Sequence, residues 1–180
     1  MKTAHVLNFT ILLTLLIFSC VVWEKLPEKV PMHYSMGGEP DYWEEKSLFS
    51  WFLLPLIAIG FNLFMYGLSF LIPRLSQKYP WMLNIPNKER FIRLPQEKKE
   101  PVFRLFKTVF YWICVPFNAL MLSAHISDYQ VAIGVYNGLA WHTIVLIALL
   151  IVFIPIIGMI FVMRINDEID KALLLGNELK

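Results

Sequence analysis

The sequence predicts an all-α integral membrane protein, a polytopic four-transmembrane-helix bundle with an ordered outer loop and a basic cytoplasmic loop. Three observations lead there. Hydrophobic residues make up 57% of the 180-residue chain and charged residues only 17%, whereas soluble domains run at roughly 45–50% apolar and about 25% charged. Four stretches, 3–23, 47–73, 108–127 and 129–163, carry no charged side chain at all, and a helix needs about 20 such residues to cross a bilayer. Lysine and arginine crowd into alternate connections between those stretches. By length the chain, 1–180, is a single membrane domain.

The spans are placed near 4–23, 48–72, 105–126 and 141–163. None alternates polar and apolar residues with period two, and backbone groups in lipid must be satisfied within the segment, which leaves helices. The first span is read as a retained signal-anchor helix. No small-residue cleavage pattern follows it, and in the lipoprotein-like string Ile17-Phe18-Ser19-Cys20 Phe18 is too bulky for a cleavage box. The later spans each contain a proline, Pro55, Pro116 and Pro155. These are read as kinks whose freed carbonyls neighbouring helices satisfy. Asn62 and Asn118 lie mid-span, and a hydrogen bond between them is the expected glue, at ~0.6 kcal/mol. No Lys, Arg, Asp or Glu lies deep in any expected span, which argues against an ion pump or proton relay. Cys20 and Cys114 belong to different spans and head toward opposite faces, so they are expected to be unbridged.

Orientation follows from the basic residues. The N-terminus, the connection 73–107 and the tail after Met163 hold thirteen Lys and Arg, against three in 24–46 and 127–140 together. Basic residues are retained on the cytoplasmic side, so both termini are expected in the cytoplasm and the loops 24–46 and 127–140 outside. Trp23, Trp51 and Trp141 then fall at the outer interface, where amphipathic rings prefer to sit. The net charge of +2 is too small to argue for nucleic acid. The bilayer is therefore the first partner the chain implies.

The connection 73–107 carries nine bases and three acids. It is read as an interfacial, topology-setting loop, with Tyr79, Trp81, Phe91 and Phe103 inserting beside anionic headgroups; the alternative is a docking site for a soluble regulator. The tail continues the last helix with Ile165, Ile169, Leu173 and Leu174 on one face, as a packing or surface-lying helix.

The outer loop 24–46 holds six acids, three bases, three prolines and the pair Gly37-Gly38. That composition forbids a long helix and supplies a tight turn. The loop is read as an ordered cap, with Tyr34, Tyr42 and Trp43 folding back onto the helix ends. Its string Leu26-Pro27-x-x-Val30-Pro31-Met32-His33-Tyr34-x-x-x-Gly38-Glu39-Pro40-Asp41-x-Trp43-x-x-Lys46 closely resembles the signature of the bacterial SdpI-like membrane family, nearly throughout residues 10–60. The string Leu83-Asn84-Ile85-Pro86-Asn87-Lys88 is similar to a second segment of that family's short, four-span members. The family is of largely unknown function and includes an immunity protein against a secreted toxin peptide. The resemblance implies a multi-pass protein of the bacterial inner membrane that binds a peptide toxin or another membrane protein. The further C-terminal membrane half of full immunity proteins has no counterpart in this chain.

Within the loop, His33, Tyr34, Gly38, Pro40, Asp41, Trp43 and Lys46 are the candidate ligand-binding residues. Gly38 permits the turn and Pro40 stiffens the chain after it. Asp41 accepts hydrogen bonds from backbone or from His33. Lys46 lays its stem along the next helix with its amine in the interface. His33 is the functional candidate, because imidazole alone switches between donor, acceptor and ligand near neutral pH; the alternative is that it satisfies loop carbonyls. Lesser metal candidates are Met32, His33 and Met36, a soft cluster, and His33, His125 and His142 with Asp128, Glu39 and Asp41, a set of borderline ligands. The alternative for these is that each serves its own turn or span end.

No phosphate-binding glycine loop with its lysine, zinc-binding H-E-x-x-H, nucleophile elbow or dinucleotide-binding glycine pattern is present. Ser123 and His125 lie on one helix, too close in sequence to face each other. A non-enzymatic protein without a cofactor is therefore expected, binding a peptide or protein ligand in toxin immunity or envelope signalling. The other reading is an accessory subunit of a larger membrane complex or a small permease-like module. The topology has a direct test: a cysteine at position 35 should react with impermeant reagents added to intact cells, and one at position 96 should be protected. The reverse pattern would overturn the charge count.

Overall fold

The structure, a computed structural model, describes residues 2–177. The order of elements is α1 (Lys2–Val22), β1 (Lys29–Tyr34), β2 (Pro40–Glu45), α2 (Leu48–Lys78), α3 (Lys88–Arg93), α4 (Gln96–Ala132) and α5 (Trp141–Asn177), with short 3-10 turns at Trp23–Lys25 and Pro80–Met82. Four helices, α1, α2, α4 and α5, are long and apolar enough to cross a membrane, and the all-α expectation holds. Three of them outrun the charge-free spans. Absence of charge marks the lipid-compatible part of a helix, while the helix itself continues into turns whose charges suit water.

Local chemistry sets the helix ends. Ser47 and Ser50 cap α2 reciprocally: Ser47 Oγ accepts from the Ser50 amide at 3.0 Å, and Ser50 Oγ accepts from the Ser47 amide at 2.9 Å. This is the capping-box arrangement, which satisfies two donors that a helix start leaves orphaned. At its other end α2 stops just before Tyr79-Pro80, because the residue preceding a proline is disfavoured in the helical region. The C-terminus of α4 is closed by Gly134 at φ +77°. The Val135 amide donates to the Gln130 carbonyl at 2.8 Å and the Gly134 amide to Val131 at 3.0 Å, a Schellman closure that favours glycine at its left-handed position.

The segment expected as an ordered cap is a β-hairpin. β1 and β2 pair antiparallel, Lys29 opposite Glu45 through Tyr34 opposite Pro40, with irregularities on either side of His33. Gly38 at φ +82° makes the turn, which is closed by bonds from Ser35 to Glu39 and from Gly38 to Ser35 of 2.8 and 2.9 Å. β1 buries Val30 and Pro31, while β2 is exposed along nearly all its length. One strand therefore lies against protein and the other outward.

The chain divides into two compact units, Met1–Leu63 with Ile113–Ile151, and Phe64–Trp112 with Val152–Lys180. In the first, Val22, Leu26, Val30 and Trp51 form a buried cluster. Trp51 corrects an expectation. Instead of lying in an interfacial belt it is 2% exposed, and its indole N–H donates to the Ser19 carbonyl at 3.0 Å, a partner that a buried indole requires. Deeper in this unit the buried Asn62 and Asn118 side chains bond each other, at 2.7 and 3.3 Å. Asn118 also donates to Asn8 of α1 at 3.0 Å, which joins a third helix that the sequence reading had not included. Cys20 and Cys114 are not linked by a disulfide.

In the second unit, Leu83, Ile85, Phe91, Leu94, Val102 and Phe103 pack against Ile165, Ile169 and Ala172 of α5. Phe91 and Phe103, expected to enter lipid, are 1% and 2% exposed. Folding them into protein recovers about 1.5–3 kcal/mol each, and the amphipathic tail supplies the face that makes this possible. Trp81 remains exposed. Asn87 takes up the left-handed conformation at φ 51°, which asparagine tolerates better than most residues, and its side chain donates to Asn166 at 3.0 Å. Lys98 donates to the Ala172 carbonyl at 2.9 Å, a favourable place for a cation near a helix C-terminus. The segment 73–107 is thus a folded element.

Asn118 sits between two partners at ~0.6 kcal/mol per membrane hydrogen bond. Asn118→Ala should therefore lower the unfolding free energy in detergent by about 1–2 kcal/mol. An unchanged unfolding curve would show that the network carries no stability.

Candidate functional site

A half-open cavity of about 240 Å³ lies beneath the hairpin in the first unit, bounded by β1, α2, α4 and the start of α5. Its lining is mostly apolar, from Val30, Met32, Leu54, Leu120, Met121 and Ile147, with Trp51 at one wall. The polar groups that reach it are few: Tyr34, Ser50, His125, Asp128 and Thr143. A largely apolar hollow with a few convergent polar groups is the general form of a small-ligand site.

Asp128, in the last turns of α4, accepts a hydrogen bond from the Tyr34 hydroxyl at 2.7 Å. Burial, and then the neighbouring Asp128 carboxylate, pushes the Tyr34 hydroxyl far above its ordinary range, so it stays protonated and remains the donor. His125 bonds Ser19 Oγ through Nε2 at 2.8 Å. Ser19 Oγ already donates to the Leu15 carbonyl at 2.7 Å. A hydroxyl has one proton to give, so the Ser19–His125 bond runs from the ring, and the imidazole proton is assigned to Nε2. The ring lies 4.1 Å from Trp51, centroid to centroid, and closes the inner wall. Between α4 and α5, Ser123 Oγ meets His142 Nδ1 at 2.6 Å and Thr143 Oγ1 at 2.9 Å. Ser123 therefore has a histidine partner after all, supplied by the next helix and not by its neighbour His125.

The hairpin is held over the cavity at its tip. The Leu139 amide donates to the Gly38 carbonyl at 2.8 Å. A Cβ at Gly138 would stand 2.5 Å from that same oxygen, so the close approach of the two backbones depends on glycine at 138.

The structure divides the candidate residues. Tyr34 lines the cavity and Gly38 forms the latch, with Pro40 opposite Tyr34 in the ladder. His33 and Asp41 bond each other at 2.5 Å, both largely exposed on the other side of the hairpin. Trp43 is exposed opposite Pro31. The Lys46 amine sits 4.6 Å over the Trp23 ring, and its backbone amide bonds Glu28 at 2.7 Å. The metal candidates do not assemble. Among the described residues no group of three or more His, Cys, Asp or Glu side chains is placed to hold an ion. Met32 lines the cavity, His33 is exposed on β1 and Met36 is fully exposed in the turn. His125 and His142 are engaged by Ser19 and Ser123.

Sequence reasoning gave Asp128 no role beyond a metal candidate, and it did not place Trp51 at a site. A signal for Asp128 was present: it is the only charged residue between Lys107 and Arg164. An isolated carboxylate within a long apolar stretch marks a functional position by default.

Residues 10–59 match a family described as a domain of unknown function (DUF1648). The matched stretch includes much of α1, the whole hairpin and the first part of α2, and with them Tyr34 and Trp51 of the cavity. No curated protein and no solved structure matches the chain.

Gly138→Ala tests the latch. Overpacking of this kind costs about 1–3 kcal/mol, and the expected result is faster hydrogen exchange at the Leu139 amide and faster proteolysis of the hairpin. Gly60→Ala, which meets nothing within 4 Å, is the control. Equal exchange in the two variants would mean that the tip is not fastened there.

Proposed function

We propose that this chain is a non-enzymatic, SdpI-like protein of the bacterial inner membrane that captures a peptide or protein ligand at its hairpin end. It would serve toxin immunity or envelope signalling. The observation that carries this reading is the cavity roofed by β1, an apolar hollow with Asp128 and Tyr34 at its edge. Three further points support it. The matched domain includes the hairpin. The outward strand presents Tyr42 and Trp43 among Asp41, Glu44 and Glu45, a surface suited to a cationic amphipathic peptide. The distribution of Lys and Arg favours a hairpin outside and both termini in the cytoplasm.

The subunit reading draws on α5, where residues 151–160 are all exposed, a face that either lipid or a partner helix would cover. Purification in mild detergent separates the two, since a stoichiometric partner favours the subunit.

Deletion of the gene should lower survival against sibling-secreted toxins and cationic membrane-active peptides, and the intact chain should restore it. His33→Ala separates two roles for the outward face. Lost survival at normal membrane abundance places His33 in ligand contact, and loss of abundance alone makes the His33–Asp41 bond structural. Unchanged survival of the deletion strain would sink the proposal.

A further inference from the structure

The volume of the cavity limits what can enter it. An apolar cavity of roughly 150 Å³ holds benzene, and drug-sized ligands need about 300–1,000 Å³. At about 240 Å³, the hollow beneath the hairpin takes a single aromatic or branched apolar group and no more. A peptide would therefore enter by one side chain or one end, with the remainder lying outside.

The charge at the edge of the cavity is one-sided. Asp128 is the only formally charged residue in its lining, which contains no Lys or Arg among the described residues. In the contacts the structure defines, Asp128 accepts one hydrogen bond, from Tyr34 to Oδ1, and an ionised carboxylate has capacity for about four. His125 is directed to Ser19 and does not supply the compensating charge. The rings of Tyr34 and Trp51 form walls of the same hollow, and aromatic faces attract cations within about 6 Å. The hairpin segment above adds six acids against three bases, so its field draws cations toward the opening.

Resting on the proposed reading of this cavity as the ligand site, we infer that it selects an apolar group, preferably aromatic, carrying a cationic amine, with the ring in the hollow and the ammonium on Asp128. Such a group is offered by an amphipathic peptide whose N-terminal residue is aromatic, or which carries a lysine beside an aromatic side chain. Tyr34 holds that carboxylate in place through its hydroxyl.

The test uses the full chain in nanodiscs of zwitterionic lipid, so that headgroup charge does not select among the probes. The probes are 2-phenylethylamine, 2-phenylethanol and 3-phenylpropanoate, which share a ring and differ in charge. Binding is followed by ligand-observed NMR. The amine should bind about tenfold or more tighter than the alcohol, as expected for a charge-assisted hydrogen bond, and the carboxylate should bind weakest. Asp128→Asn should abolish the preference while the alcohol binds as before, because the amide oxygen can still accept from Tyr34. Ala124→Phe, which fills the hollow, should remove binding of all three. Equal binding of amine and alcohol, or an amine preference that survives Asp128→Asn, overturns the cation assignment and leaves the cavity standing as a ligand site. Absence of binding by every probe overturns both.

Discussion

The hydrogen bond from Tyr34 to Asp128 is the contact on which the hairpin end depends. It joins a strand, whose backbone is polar and partly exposed, to the last turns of an apolar helix. A carboxylate in that setting costs several kcal/mol unless it is paired or hydrogen-bonded, and the tyrosine hydroxyl meets part of that demand. The same bond holds β1 over the helix ends, and so creates the hollow beneath it. Burial and the carboxylate keep Tyr34 protonated, so its hydroxyl retains the proton it donates.

Two other ties act with it, and they differ in kind. Val30 is buried among Val22, Leu26 and Trp51, a contact that is strong but not directional. The Gly38–Leu139 bond is directional, and it requires glycine at 138 for the backbones to meet. Burial anchors the base of the hairpin, the Tyr34–Asp128 bond its inner face, and the backbone bond its tip. Three points fix a plane, so the cavity has a defined roof and its occupant a defined size. The hairpin's other face is left to Tyr42, Trp43, the His33–Asp41 pair and the acidic side chains of β2.

Several polar groups inside the apolar helices find a partner on another element. Asn62 meets Asn118, and Asn118 meets Asn8; His125 meets Ser19, and Ser123 meets His142. Where water is scarce, a buried polar group without a partner costs more than the modest gain of pairing it. Each pair therefore stabilises less by its own energy than by penalising every register in which it is broken. The second unit uses a different device, a compact apolar core formed between the basic connection and the amphipathic end of α5.

The sequence by itself determined the four long helices, since no other structure lets so many consecutive apolar residues satisfy their backbone in lipid. It also determined the turn at Gly38 and the pairing of Asn62 with Asn118, both legible from residue type and position. The hairpin was not legible as strands. Pro31 and Pro40 sit inside them and demote any strand assignment, and the pairing is decided by contacts with helices far away in sequence. The fates of Trp51, Phe91 and Phe103 were misread for a related reason: composition tells that an aromatic residue leaves water, not whether lipid or protein receives it. Tertiary structure alone decided the cavity, because its walls come from β1, α2, α4 and α5. It also decided the meaning of Asp128. A lone acid in a charge-free stretch announces a cost, and only the fold reveals which partner offsets it.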